Sequence, residues 1–131
     1  MKYFAVYFAI LVTLLLVDML WLRVIAAAWY AQGLSHLMAA SPNLIAAGAF
    51  YLLFPAGLLI FAVLPAENAA LLKAVAMGAL FGFFAYATYD LSNLATLKAW
   101  PVGLTLLDMT WGTLLSAMCA GSGKLCLDAL G

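Results

Sequence analysis

Hydrophobic residues form four long runs along the chain, separated only by short polar or proline-containing segments. The clearest run, from Leu44 to Leu64, has no charged residue, and Ser41 and Pro42 before it are typical of a helix start. A helix needs about 20 mostly apolar residues to cross the hydrocarbon core of a bilayer. The pattern therefore predicts an all-α integral membrane protein, a four-helix up-down bundle. Its predicted spans are residues 3–24, 43–64, 68–95 and 101–120. Loops are predicted from Tyr30 to Ser41 and from Gly121 onward.

The other three runs are interrupted by charged residues. The first is free of charge for only fifteen residues before Asp18. In the fourth, only seven charge-free residues precede Asp108 and only fifteen follow it, so both helices must carry an aspartate into the membrane. The third has sixteen such residues, so either Lys73 or Asp90 is immersed. A cleaved signal peptide is the alternative for the first run, but its length and its aspartate argue against cleavage.

Composition supports a single membrane domain over residues 1–131. Of these, 69% are hydrophobic and 8% are charged, whereas soluble domains carry about 25% charged residues. The five basic residues are balanced by five acidic ones, so the chain has no basic field that would attract nucleic acid. The lipid bilayer is the predicted environment, and the cell's inner (plasma) membrane is the expected location of this multi-pass protein.

Four spans place both termini on one side of the membrane. Lys2, Lys73 and Lys124 then lie on the terminal side, and Arg23 and Lys98 lie on the other. By the positive-inside rule this distribution favours cytoplasmic termini.

Three aspartates are predicted to share one half of the membrane. Asp18 comes late in the first helix, Asp90 late in the third and Asp108 early in the fourth. An aspartate at the bilayer centre costs about 2.5–3.5 kcal/mol, so such residues usually face a bundle interior and serve function. Helical spacing adds further candidates for this polar site: Trp21, Tyr86, Tyr89, Asn93 and Trp111.

Two stretches share the pattern D-M-x-W, residues 18–21 and 108–111, which is too short to establish an internal repeat. Structural roles stay open for the same residues. Asp18 would pair with Arg23, the tryptophans would anchor at the membrane surface, or the hydrogen bonds would only hold helices together.

Metal or cofactor chemistry is not predicted. Cys119 and Cys126 have no ligand-like spacing, and His36 is the single histidine. The sequence also lacks the familiar nucleophile, zinc and phosphate-loop motifs.

Two segments carry a family resemblance: YATYDLSNLATLKAWP at 86–101 and DMTWG at 108–112. They resemble the bacterial membrane family catalogued as domain of unknown function 2177 (DUF2177). The resemblance extends over the whole chain, including Asp18 and Trp21, with Ser92 standing where the family pattern is expected to have threonine. It implies a small integral membrane protein in which these residues matter, and it supplies no substrate.

Three functions fit this pattern. The first is a carrier that binds a small molecule or protons at the carboxylates, working as a homodimer because four short helices enclose little volume. The second is an intramembrane enzyme or enzyme subunit acting on a lipid-soluble substrate, with Asp18 and Asp108 as acid and base and with Tyr89 and Asn93 orienting the substrate. The third is an assembly module whose polar residues only join helices.

Overall fold

The computed structural model describes residues 1–39 and 41–131, and these residues are helical apart from short connections. Five α-helices follow one another: α1 (Lys2–Leu20), α2 (Ala27–Leu34), α3 (Leu44–Leu58), α4 (Leu71–Thr96) and α5 (Val102–Leu130). The π-helical turn Trp21–Ile25 prolongs α1. The π-helical turn Leu59–Val63 and the 3-10 turn Leu64–Ala66 prolong α3.

Four helical segments are long and apolar enough to cross a membrane: Lys2–Ile25, Leu44–Ala66, Leu71–Thr96 and Val102–Leu130. The predicted all-α fold with four spans is therefore confirmed. Large apolar side chains such as Phe4, Ile45 and Leu72 lie exposed on these segments. An apolar surface of this extent is suited to lipid and not to water.

The start of α3 differs in detail from the sequence prediction. Asn43, and not Ser41, is the N-cap, and its side-chain oxygen accepts hydrogen bonds from the backbone nitrogens of Ile45 and Ala46, each at 3.1 Å. These bonds satisfy two of the amide groups that a helix start leaves without partners.

Helix α5 runs on to Leu130, so the loop predicted from Gly121 onward is wrong. Lys124 is only 2% exposed, and its Nζ donates to the carbonyl oxygen of Glu67 at 3.1 Å and to Asp128 Oδ1 at 2.7 Å. Because these contacts satisfy the ammonium group within the protein, the polar residues of this segment do not end the helix.

Both chain termini lie at one end of the bundle. Lys2 Nζ forms an ion pair with Glu67 Oε2 at 3.4 Å and lies next to Gly131. The hydroxyl of Tyr3 donates to the same carboxylate. This arrangement agrees with an even number of spans.

Small residues bring α4 and α5 into close contact over most of their length. A Cβ atom at Gly78 or Gly82 would collide with Ser116 of α5, and one at Gly112 would collide with the ring of Tyr86. Stripes of small residues with this spacing let helix backbones approach closely in a bilayer, where dispersion contacts drive association. The pair α4 and α5 is thus the rigid side of the bundle.

Helix α3, in contrast, diverges from α4 toward its N-terminal end. The two helices approach closely where Gly57 faces the ring of Phe81. Phe54 still reaches Phe81 and Tyr86, with ring centroids 5.4 and 6.2 Å apart. The backbones of α3 and α4 hardly touch, because on this side of the bundle α4 packs against the π-helical turn that follows α3. The divergence leaves a gap in the half of the bundle that holds the aspartates.

The segment after the first span also differs from the sequence prediction, which placed a loop from Tyr30 onward. Residues 27–34 form α2, which packs against the start of α5. Gly33 permits this contact, since a Cβ atom there would lie 3.0 Å from a methyl carbon of Leu104. The helix thereby carries Tyr30 into the bundle.

Candidate functional site

A cavity of about 550 Å³ lies in this half of the bundle, at the side where α3 diverges from α4. Aromatic and aliphatic side chains make up most of its wall, and two carboxyl groups provide the charge. The lining residues are Asp18, Leu22, Tyr30, Phe50, Tyr51, Phe54, Ala85, Tyr86, Tyr89, Asp108 and Trp111. A mostly apolar pocket with a few convergent polar groups is the usual form of a small-molecule site.

Asp18 is held by two hydrogen bonds and is 5% exposed. Tyr51 Oη donates to its Oδ2 at 2.6 Å, and Trp111 Nε1 donates to its Oδ1 at 3.0 Å. The described residues give it no ion pair with Arg23, whose side chain is exposed. Since α3 and α5 each supply one donor, the carboxyl group joins three helices.

Asp108 is reached from the other side by a short chain of hydrogen bonds. Trp21 Nε1 donates to Tyr30 Oη at 3.2 Å, and Tyr30 Oη donates to Asp108 Oδ1 at 2.5 Å. Burial, reinforced by the hydrogen bond to Asp108, raises the pKa of Tyr30 well above its ordinary value. The phenol therefore stays protonated at neutral pH and remains the donor.

The two carboxyl groups differ in the number of hydrogen bonds that their oxygens accept. Both oxygens of Asp18 accept a hydrogen bond, whereas Asp108 accepts one from Tyr30, at Oδ1, and has the carboxyl group of Asp90 beside it. The side chain of Asp108 is partly accessible and lines the cavity. Asp108 thus has acceptor capacity left for a molecule in the cavity, and Asp18 has much less.

Two tryptophans contribute to the hydrogen bonds at Asp18 and Asp108. Trp21 and Trp111 stack with ring centroids 4.3 Å apart and an interplanar angle of 7°. Their rings therefore pack against each other between the first and last spans. Opposite them, Tyr86 lies flat against α5 because Gly112 has no side chain.

The structure distributes the eight residues predicted from the sequence over several places. Five line the cavity: Asp18, Tyr86, Tyr89, Asp108 and Trp111. Trp21 stacks behind Trp111, and Asp90 lines a smaller neighbouring cavity of about 110 Å³. Asn93 lines neither of these two cavities.

Sequence reasoning missed Tyr30 and Tyr51, the donors to the two carboxyl groups. Tyr51 lies in the charge-free third helix, where a tyrosine between phenylalanine and leucine looks like lipid-facing surface. Its hydroxyl is the only polar side-chain group between Gly48 and Leu64, and this was the signal that could have identified it. The sequence did not identify Tyr30 as a site residue, because its segment was predicted to be a loop outside the bundle.

Metal binding finds no support in the part of the chain that the structure describes. No group of three or more His, Cys, Asp or Glu residues lies close enough together to hold an ion. Cys119 and Cys126 are free thiols on α5, and neither of them lines the cavity.

Comparison with known proteins gives one family. No curated protein and no solved structure shows significant similarity to the chain. A family model described as "predicted membrane protein (DUF2177)" matches residues 3–125, which include nearly all of the four spans and every residue that lines the cavity. That description names no activity. The chain belongs to the DUF2177 family of membrane proteins.

Proposed function

We propose that the protein binds a lipid-soluble small molecule inside the bilayer, in the cavity of about 550 Å³, as a carrier-like binding protein. The observation that carries this proposal is the carboxyl group of Asp108, which lines an apolar cavity and accepts a hydrogen bond from Tyr30 at only one of its oxygens. A carboxyl oxygen in apolar surroundings costs free energy when no group donates to it, and a ligand that donates to it recovers that cost.

The lining indicates the kind of ligand. Among the residues that the structure describes, it includes two carboxyl groups and no lysine, arginine or histidine. An ammonium group, or another N–H or O–H donor, would compensate Asp108. The faces of Phe50, Phe54 and Tyr86 would cover the apolar part of the molecule and attract a cation. The proposed class is therefore an amphiphile with a hydrogen-bond-donating head, most favourably an amine.

Access is proposed to run sideways from the lipid. The cavity lies where α3 and α4 separate, and the exposed side chains of Phe50 and Tyr89 line it from these two helices. A hydrophobic molecule dissolved in the bilayer would meet the gap directly and would not need to pass through water.

The enzyme hypothesis receives less support from the same geometry. It required Asp18 and Asp108 as an acid and base pair, but two donors already hold Asp18. A carboxyl group in this arrangement is better suited to holding Tyr51 and Trp111 in place than to exchanging protons with a substrate.

Native mass spectrometry of the protein released from mild detergent tests the proposal. Wild type is expected to carry a small-molecule adduct that Asp108→Asn loses, because the amide offers a weaker acceptor and no charge. Asp128→Asn, the same change at the opposite end of the bundle, is the control and should keep the adduct. If wild type and both variants carry no adduct, or all carry the same one, the cavity is not the binding site proposed here.

Orientation and assembly belong to the proposal as well. We place the termini in the cytoplasm, since Lys2, Lys73 and Lys124 share the terminal side. We place the protein in the plasma membrane as a homodimer. A reporter fused to the C-terminus that is active only in the cytoplasm would test the first point, and the mass of the detergent-released complex would test the last.

A further inference from the structure

A second, smaller cavity of about 110 Å³ lies next to the first, beside the turn that joins α4 and α5. Its wall combines Asp90 and Trp100 with the polar side chains of Tyr30, Tyr89 and Asp108. The last three also line the larger cavity, so the two spaces adjoin along this shared wall.

Two buried polar atoms at this small cavity have no partner among the described residues. Asp90 is 1% exposed and its Oδ2 accepts no hydrogen bond, while Trp100 is 9% exposed and its Nε1 donates none. Leaving one such group unsatisfied costs about 1–3 kcal/mol, and more when the group is charged. Because both atoms belong to residues that line the same cavity, a single occupant of that cavity would explain why neither has a partner within the protein.

The hydrogen-bonding groups of Trp100 and Asp90 indicate which molecule would fill the small cavity. It must accept a hydrogen from the indole N–H of Trp100 and donate one to the carboxyl oxygen of Asp90, and water does both. A buried water typically makes about three hydrogen bonds, and each needs only about 10–15 Å³ of probe-occupied volume. The cavity of about 110 Å³ has room for more than one.

We propose that the small cavity is a hydrated chamber through which protons from the aqueous phase at the α4–α5 turn reach Asp108. The exposed Lys98 and the buried Trp100 belong to this turn, so the chamber lies at the end of the bundle. A proton passes from a protonated water to the carboxylate of Asp90 and then to that of Asp108, and the donating water is left neutral. No other reactant is consumed.

The titratable groups that line the chamber are Tyr30 from α2, Tyr89 and Asp90 from α4, and Asp108 from α5. No lysine, arginine or histidine among the described residues lines it. The chamber therefore contains no cation that would hold both carboxyl groups ionised.

Hydration is tested by NMR of the protein in detergent micelles. The indole N–H signal of Trp100, identified by its loss in Trp100→Phe, is expected to show a cross-peak to long-lived water. Leu34→Phe extends a larger ring into the chamber from α2 and should remove that cross-peak while leaving the circular dichroism spectrum unchanged. A Trp100 indole without a water cross-peak in wild type would overturn the proposal.

Proton access is tested in proteoliposomes with a hydrophobic carbodiimide, which reacts with a carboxyl group in its protonated form. Labelling of Asp108, located by peptide mass spectrometry, should follow a change of aqueous pH in wild type and respond more slowly in Leu34→Phe and Trp100→Phe. Equal responses in all three proteins, or no labelling at any pH, would overturn the proposal. Neither experiment requires a ligand in the larger cavity, so each outcome is independent of the proposed binding function.

Discussion

Trp21 and Trp111 lie face to face, with their ring centroids 4.3 Å apart, although they belong to the first and last spans. Each is the tryptophan of a D-M-x-W segment. Each also serves the aspartate of the other segment. Trp111 donates directly to Asp18, and Trp21 donates to Tyr30, which donates to Asp108. The two segments are therefore joined by reciprocal contacts at the wall of the cavity.

We expect Trp111→Phe to weaken this junction. The smaller ring keeps an aromatic face for Trp21 but removes the N–H that Asp18 accepts. An interhelical hydrogen bond in a membrane contributes about 0.6–2 kcal/mol, so the unfolding free energy should fall by about that amount. Titration with a denaturing detergent, followed by circular dichroism, measures the change. Trp29→Phe, at an exposed tryptophan of α2, is the control, and equal stability of the two variants would contradict the prediction.

Close packing of α4 on α5 gives a second prediction. A methyl group at Gly82 would collide with Ser116, so Gly82→Ala should destabilise the fold by about 1–3 kcal/mol. Gly48 has no atom within 4 Å of the same added carbon, and Gly48→Ala should be neutral or slightly stabilising. The two melting temperatures, measured in the same detergent, decide the matter, and the prediction fails if Gly82→Ala melts no lower than Gly48→Ala.

Lys124 gives a third prediction, at the opposite end of the bundle. Lys124→Met keeps most of the apolar volume but removes the donor to Glu67 and the charge opposite Asp128. The loss should cost about 1–3 kcal/mol, because the carbonyl oxygen and the carboxylate both lose a partner. Lys73→Met, at an exposed lysine of α4, should change the unfolding free energy by less than about 0.5 kcal/mol. Equal decreases of the unfolding free energy in both variants would contradict the prediction that the buried contacts of Lys124 stabilise the fold.

Span length is the reason that the sequence predicts so much of this fold. Only seven charge-free residues precede Asp108 in the fourth span and only fifteen follow it before Lys124, so no charge-free helix of membrane length can leave this aspartate outside. The same argument places Asp18 in the first span. It applies without any knowledge of packing, and the number of spans follows from it.

Helix rotation and side-chain pairing lie beyond that argument. Asp18 and Arg23 are near in sequence, yet Asp18 contacts Tyr51 and Trp111, which lie on other helices. Such partners depend on how α3 and α5 turn about their axes, and a uniformly apolar helix such as α3 has no polar face to reveal its rotation. The sequence also did not predict that α5 continues past Gly121. Lys124 is buried through its contact with Glu67, and this contact depends on how two distant parts of the chain pack together.

Filling the larger cavity gives the last prediction. Ala85 lines it from α4, and Ala85→Leu would add three carbon atoms where the proposed ligand lies. Because the side chain grows into open space, stability should change little, while the adduct detected by native mass spectrometry should be reduced or absent. Ala76→Leu makes the same change on an exposed face of α4, where it should leave the adduct intact. An adduct that survives Ala85→Leu at the wild-type level would mean that the ligand binds elsewhere, because the larger side chain and the ligand cannot occupy the same space.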